Sequence, residues 1–177
     1  MKHVVWLGES LACVREFPQE ARQEAGVQLG LVQAGAEPSD WKPMPAVGLG
    51  VNEIRVRVGG AFRVSAAQVQ VACPGPEAAM AEKLKSVRGS GNVFLDLGFP
   101  KVEAENLKMR ADLMIRIVRF HQKSGMTQAA AAKTLGLTQP RLNALLKGKI
   151  GQFSLDALVV IASRAGLNVR LVVKKAA

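Results

Sequence analysis

Polar residues in the second half of the chain have side chains that can read DNA bases. Gln139, Arg141 and Asn143 are interspersed with proline, leucine and alanine. Gln and Asn can pair bidentately with adenine and Arg with guanine, so we expect these three residues to contact base edges. Phosphate contacts position such a surface on the duplex. Three further residues are expected to supply them: Gln128, Thr138 and Lys147.

Two short helices joined by a glycine turn are expected to position these side chains. Thr127 is suited to cap the first helix, which continues through an alanine run that favours helix. Gly136 stands where that helix needs a left-handed residue to end. Thr138 can cap the second helix, Pro140 falls in its first turn, and Gly148 can terminate it.

The apolar residues of this stretch predict a shared core for the two helices. The residues expected in that core are Ala131, Leu135, Leu137, Leu142 and Leu145. Ala132 is small enough to let the helices cross closely. Two short helices with a tight turn between them have the layout of a helix-turn-helix DNA reader.

The net charge of +10 is distributed unevenly along the chain. Residues 1–79 carry 7 basic and 8 acidic side chains, whereas residues 80–177 carry 17 basic and 6 acidic ones. No Asp or Glu occurs between Asp112 and Asp156, although a merely solvated face would normally mix both signs. The charge pattern predicts a nucleic-acid-binding domain joined to another unit.

The helical stretch resembles the phage-repressor or XRE type of helix-turn-helix. Gln128, Ala132, Gly136 and Gln139 match that pattern residue by residue. The resemblance implies a lambda-repressor-like domain whose second helix enters the major groove of double-stranded DNA.

A wider segment, from about Met80 to Val173, is more narrowly similar to HigA-type antitoxins. The motifs SGNVFLDLGFP, MTQ, TQP and FSLDAL carry this resemblance and keep their order. Asn143 and Ala144 depart from related chains, which often carry Ser and Arg there. The resemblance implies an antitoxin that also binds DNA.

The first half predicts a β-α-β arrangement. His3–Leu7 favours a strand, Ser10–Gln33 favours one long helix or two helices broken near Pro18, and Val51–Val64 favours strands around a Gly-Gly turn.

The wording VVWLGESL, REFPQEARQEAG and GAFRV in this half resembles HigB/RelE-type toxins, which are small ribosome-dependent mRNA endonucleases. The resemblance ends at Val64, so we interpret the half as an incomplete toxin fragment that reads through into an antitoxin. The fragment could be only partly ordered, or it could recruit Val69–Cys73 as a substitute strand.

Three arginines of the fragment, Arg55, Arg57 and Arg63, match basic positions on toxin strands. They could be remnants of a catalytic site or simply charges on the polar face of a strand. A general acid/base partner from the missing strands is absent. We therefore expect no catalytic residues and no enzymatic activity.

Further elements are expected on either side of the helix-turn-helix. Glu103–Gln122 predicts an amphipathic helix beneath it. Ser154 is suited to cap a helix over Leu155–Ala165 that Gly166 ends. Ser86–Phe99 resembles the arm with which antitoxins contact their toxin, but it could equally cap its own domain.

The segment Asn168–Val173 predicts a β-strand with no neighbour in its own domain. A lone strand must pair elsewhere, and the twin strand of a second copy is the simplest partner. A two-fold homodimer would also present two recognition helices to a palindromic operator.

The sequence thus predicts an α+β chain with three parts. These are a toxin-like fragment (1–64), a linker (65–89) and a mainly α-helical DNA-binding domain with a C-terminal strand (90–177). No apolar run is long enough to span a membrane, so a cytoplasmic protein is expected. Cys13, Cys73, His3 and His121 are isolated, so neither a metal nor a cofactor is expected.

Three functions remain to be distinguished. The first is a sequence-specific transcriptional regulator of toxin–antitoxin origin that represses its own promoter. The second is an antitoxin that neutralises an intact RelE/HigB-type toxin. The third, and least favoured, is a residual ribosome-dependent RNase.

Overall fold

The computed structural model describes residues 3–46, 51–67, 70–72, 85–170 and 172 of the 177-residue chain. The strands in these ranges are β1 (Val5–Leu7), β2 (Trp41–Pro43), β3 (Val51–Arg57), β4 (Ala61–Ala67), β5 (Gln70–Ala72) and β6 (Ser86–Arg88). The α-helices are α1 (Ser10–Arg15), α2 (Gln19–Gln33), α3 (Val93–Asp96), α4 (Lys101–Ser124), α5 (Gln128–Leu135), α6 (Gln139–Leu146) and α7 (Leu155–Arg164). The predicted α+β class is confirmed.

The strands form one sheet in the order β2-β3-β4-β5-β1-β6. Strand β1 pairs in parallel with β5 and antiparallel with β6. The substitute strand considered for Val69–Cys73 is therefore present, as Gln70–Ala72. It fills the place between β4 and β1, where an unpaired backbone would otherwise leave two open edges.

The predicted linker, residues 65–89, contributes to this sheet. Its first residues continue β4, residues 70–72 form β5, and residues 86–88 form β6 on the outer side of β1. Residues 68–69 and 73–84 of it lie outside the described part of the chain. The described part of the segment is thus largely sheet, which differs from the expected linker, because the truncated fragment has strand edges to cover.

Helices α1 and α2 confirm the alternative with a break near Pro18. Pro18 has φ −51° and ψ 149°, an extended conformation that precedes the first residue of α2. Every residue from Glu24 to Leu31 of α2 is buried, so this helix has no solvated side along that length. A helix buried all round must lie between two layers.

Those two layers are the sheet and the second half of the chain. Helix α2 contacts β3 on one side and α3, α4 and a 3-10 turn at Ile150–Gln152 on the other. Gly26 allows the closest approach, because a Cβ there would lie only 2.5 Å from Cε1 of Phe94. The buried apolar residues of both halves consequently form one continuous core.

The tail differs from its predicted strand. Asn168, Val169 and Arg170 are exposed and form no strand in the single chain, while Leu171 and Val173 lie outside the described residues. Pairing of this segment with a second copy stays a prediction. Among the described helices, none combines the length and apolar character of a membrane span.

Candidate nucleic-acid interface

Helices α5 and α6 form the predicted pair of short helices. Thr127 Oγ1 accepts from Ala130 N at 3.3 Å and so caps α5. Gly136 ends this helix with φ 65°, and Leu137 N donates to Ala132 O at 2.8 Å across the turn. The predicted left-handed glycine is confirmed.

The predicted core of this pair is confirmed in all but one residue. Four of the five side chains are buried, and Leu137 is half-buried at the turn. Ala132 is buried as expected. Gly148 follows α6 with φ 77°, and Ser154 Oγ caps α7 by accepting from Ala157 N at 3.2 Å.

Arg164 supports the turn in a way that the sequence did not reveal. Its Nη1 lies 3.3 Å from both the Leu135 and the Gly136 carbonyl oxygens, to which it donates. These are free acceptors at the C-terminal end of α5, where a cation is also favoured by the helix dipole. Arg164 therefore fixes α7 to the turn that orients α6.

The candidate base-reading residues do not share one face. Gln139 and Asn143 are one helical turn apart and lie on nearly the same side of α6. Arg141 lies on the opposite flank, where its guanidinium carbon is 5.1 Å from the centre of the Phe153 ring. Stacking on an aromatic ring holds a cation in place without neutralising it. The structure thus presents an amide pair and a separately held guanidinium.

The three candidate phosphate-binding residues surround this helix at exposed positions. Gln128 begins α5, Thr138 immediately precedes α6, and Lys147 immediately follows it. Thr138 has the extended backbone of a cap, but its side chain makes no capping hydrogen bond, which corrects the expected role. Its carbonyl oxygen instead accepts from Leu142 N at 2.9 Å.

The surrounding surface is basic. The basic residues between Asp112 and Asp156 are Arg116, Arg119, Lys123, Lys133, Arg141, Lys147 and Lys149. All are exposed except Lys149, which is half-buried. Salt bridges among the described residues involve Asp40 and Glu53 of the first half, and none uses these seven cations. They remain available to phosphates.

Comparison with known families matches residues 93–174 to a model described as a helix-turn-helix domain. This segment is a helix-turn-helix domain. The match begins close to the predicted domain boundary at residue 90 and includes α3 to α7. The helix-turn-helix domain indicates a DNA-binding regulator. No curated protein matches the chain.

Arg110 is a second residue of the helix-turn-helix domain that the sequence did not single out. Its Nε donates to Phe153 O at 2.9 Å, and its Nη2 donates to Ile150 O. Burial lowers the pKa of this guanidinium, whereas nearby Glu103 acts to raise it. Because Arg110 holds the backbone of Phe153, it positions the ring on which Arg141 lies.

One signal for Arg110 was present in the sequence. It stands three residues after Leu107 and four before Met114, both of which are buried. A basic residue at that spacing lies against the apolar face of a helix, so it needs partners there.

The arginines of the toxin-like fragment are engaged in ion pairs. Arg55 Nε lies 3.1 Å from Glu53 Oε1, and Arg63 Nη1 lies 3.7 Å from Glu53 Oε2. Arg57 Nη2 lies 3.4 Å from Asp40 Oδ2. They line an open cleft of about 560 Å³ on the sheet. These pairs account for the arginines as charges on the polar face of the strands.

Proposed function

We propose that the chain is a sequence-specific transcriptional regulator of toxin–antitoxin origin that binds double-stranded DNA and represses its own promoter. The observation that carries this proposal is the exposed amide pair Gln139 and Asn143 on the second helix of a helix-turn-helix domain whose surface is basic. Amides read adenine in the major groove, and the cations hold phosphates. Such a regulator acts in the cytoplasm.

The toxin–antitoxin origin is supported by the resemblance of both halves and by their packing. Ser86–Arg88, from the antitoxin-like arm, pairs with β1 of the toxin-like fragment. Trp6 Nε1 of that fragment donates to Asp96 Oδ2 at 3.3 Å, and Arg15 Nε donates to Asp96 O at 2.7 Å. A toxin-like and an antitoxin-like part therefore contact each other within one chain.

The proposal is tested by selecting bound sequences from a random duplex library and measuring affinity at two salt concentrations. We expect a palindromic consensus and an affinity that falls steeply with salt, because phosphate contacts release counterions. Failure to enrich any sequence would contradict sequence-specific binding.

Arg141→Ala is expected to weaken binding to the selected operator by about 1–3 kcal/mol and to relax discrimination at one base pair. The loss follows from removing a guanidinium that Phe153 holds at the edge of α6. Binding titrations with the operator and its single-base variants measure it. Arg88→Ala, which removes an exposed arginine from β6, is the matched control and should leave affinity unchanged. An equal loss on operator and random DNA would place Arg141 on phosphates instead.

We further propose a homodimer that forms through Asn168–Val173 and spaces its recognition helices about 34–36 Å apart, one DNA turn. Val169 and Val172 support this because both expose apolar side chains in the single chain. Deleting residues 168–177 should lower both dimer content and operator affinity, as measured by sedimentation and titration. Deleting only residues 174–177 is the control. A shortened chain that still dimerises would contradict this interface.

Neutralisation of an intact RelE/HigB-type toxin is a second candidate function. The pairing of Ser86–Arg88 with β1 favours it, since the arm can bind a toxin-like strand edge. We rank it second because that arm is already occupied within the chain. We also propose that the chain is not an enzyme, because Arg55, Arg57 and Arg63 are committed to ion pairs.

A further inference from the structure

Helix α2 of the first half packs against the C-terminal end of α6. Gln28 Nε2 donates to the Lys147 carbonyl oxygen at 2.9 Å, and Ser39 N donates to Gln28 Oε1 at 2.9 Å. Gly148 lies so close that a Cβ there would be 2.6 Å from Gln28 Nε2 and 3.1 Å from Val27 Cγ1. The position of this end of the reading helix therefore depends on α2.

Glu24 lies one turn before Gln28 at this contact. Its side chain is only 5% exposed, and its Oε1 has no hydrogen-bond partner among the described residues. The charged groups that act on it are Lys149 and Lys147, which follow α6, and Glu20 on its own helix. The 3-10 turn contributes the backbone of Gly151, near neutral Gln23.

This environment makes the carboxyl group easy to protonate. Burial raises the pKa of Glu24 to about 7, while Lys149 acts to lower it, Glu20 to raise it and Lys147 to lower it. The group consequently changes charge near neutral pH, which an exposed glutamate does not do.

The charge of Glu24 acts on two cations of the DNA-facing surface. When ionised, it offsets part of the attraction of Lys147 and Lys149 for phosphates, and it also leaves an unpartnered charge buried against α6. When protonated, both effects disappear. Acidification therefore favours DNA binding through charge and through packing alike.

We propose that Glu24, outside the helix-turn-helix domain, regulates the DNA affinity of that domain through its own protonation. This inference rests on the proposed DNA-binding function. It gives the toxin-like fragment a role in the regulator: its α2 both positions the end of α6 and sets the charge beside it.

The test measures affinity for the selected operator and for a random duplex of equal length between pH 6 and pH 8 at fixed ionic strength. For the unaltered chain we expect affinity for both duplexes to be roughly three- to tenfold higher at pH 6, the range that one nearby charge supplies. Glu24→Gln should have the higher affinity at pH 8 and lose most of this dependence.

Glu20→Gln is the matched control, because it removes the same charge from an exposed position on the same helix. It should keep the pH dependence. His3 and His121 are present in every variant, so their titration cancels in the comparison.

Each outcome decides the inference. A dependence on pH that persists in Glu24→Gln, or that disappears equally in Glu20→Gln, would overturn it while leaving DNA binding intact. Absence of binding to either duplex at every pH would overturn the proposed function and the inference with it. Unfolding curves of all three chains at pH 6 and pH 8 show whether each variant is folded when it is assayed.

Discussion

Gly136→Val is expected to destabilise the helix-turn-helix domain by about 3–5 kcal/mol. A β-branched residue resists the positive φ of 65°, which costs about 1–2 kcal/mol. A Cβ at this position would also lie 2.7 Å from Arg164 Cζ, so the arginine must leave the two carbonyls it holds. Losing those charged hydrogen bonds costs about 1–3 kcal/mol more. Denaturant unfolding followed by far-UV circular dichroism measures the sum.

Gly125→Val separates the two causes. Gly125 has φ 63°, nearly that of Gly136, but a Cβ there would meet no atom within 4 Å. This control should show only the conformational cost. Equal losses in the two variants would mean that Arg164 contributes nothing to the turn.

Phe94→Ala is expected to destabilise both halves of the chain together, by about 3–5 kcal/mol. Phe94 is only 1% exposed and packs on Gly26 of α2, so its removal leaves a cavity between the halves. Tryptophan fluorescence reports on the first half, which contains Trp6 and Trp41, whereas circular dichroism is dominated by the helices of the second half. Both signals should shift to the same lower denaturant concentration.

Phe62→Ala is the control within the first half. Phe62 is half-buried, and its ring centre lies 4.9 Å from that of Phe17. It should cost less than Phe94→Ala. Two separate transitions, with only the circular dichroism signal shifted in Phe94→Ala, would show that the halves unfold independently and contradict a shared core.

Local signals in the sequence predicted most of the helix-turn-helix. A cap such as Thr127 and a helix-ending glycine such as Gly136 act within four residues, so their pattern is sufficient to locate a turn. The break near Pro18 was predictable for the same reason. By contrast, Thr138 has the residue type of a cap but makes no capping bond, because type alone does not fix a rotamer.

Contacts between distant residues were not predictable from the sequence. Arg164 reaches the Gly136 carbonyl, Arg110 holds Phe153, and Gln28 reaches Lys147. No periodicity relates such residues, since the pairing depends on how whole elements pack. The amide pair of α6 was correctly placed on the surface, but only the structure showed that Arg141 lies on another flank.

The position of β1 within the sheet has a consequence for how the chain folds as it is synthesised. Its two neighbours, β5 and β6, both come much later in the sequence. Strand β1 must therefore wait, with both backbone edges unpaired, until the chain has been made as far as residue 88. Closing such long loops is slow, and open edges favour association between chains. Translation that stops before β6 should thus yield an aggregation-prone product, whereas the complete chain covers the same edge.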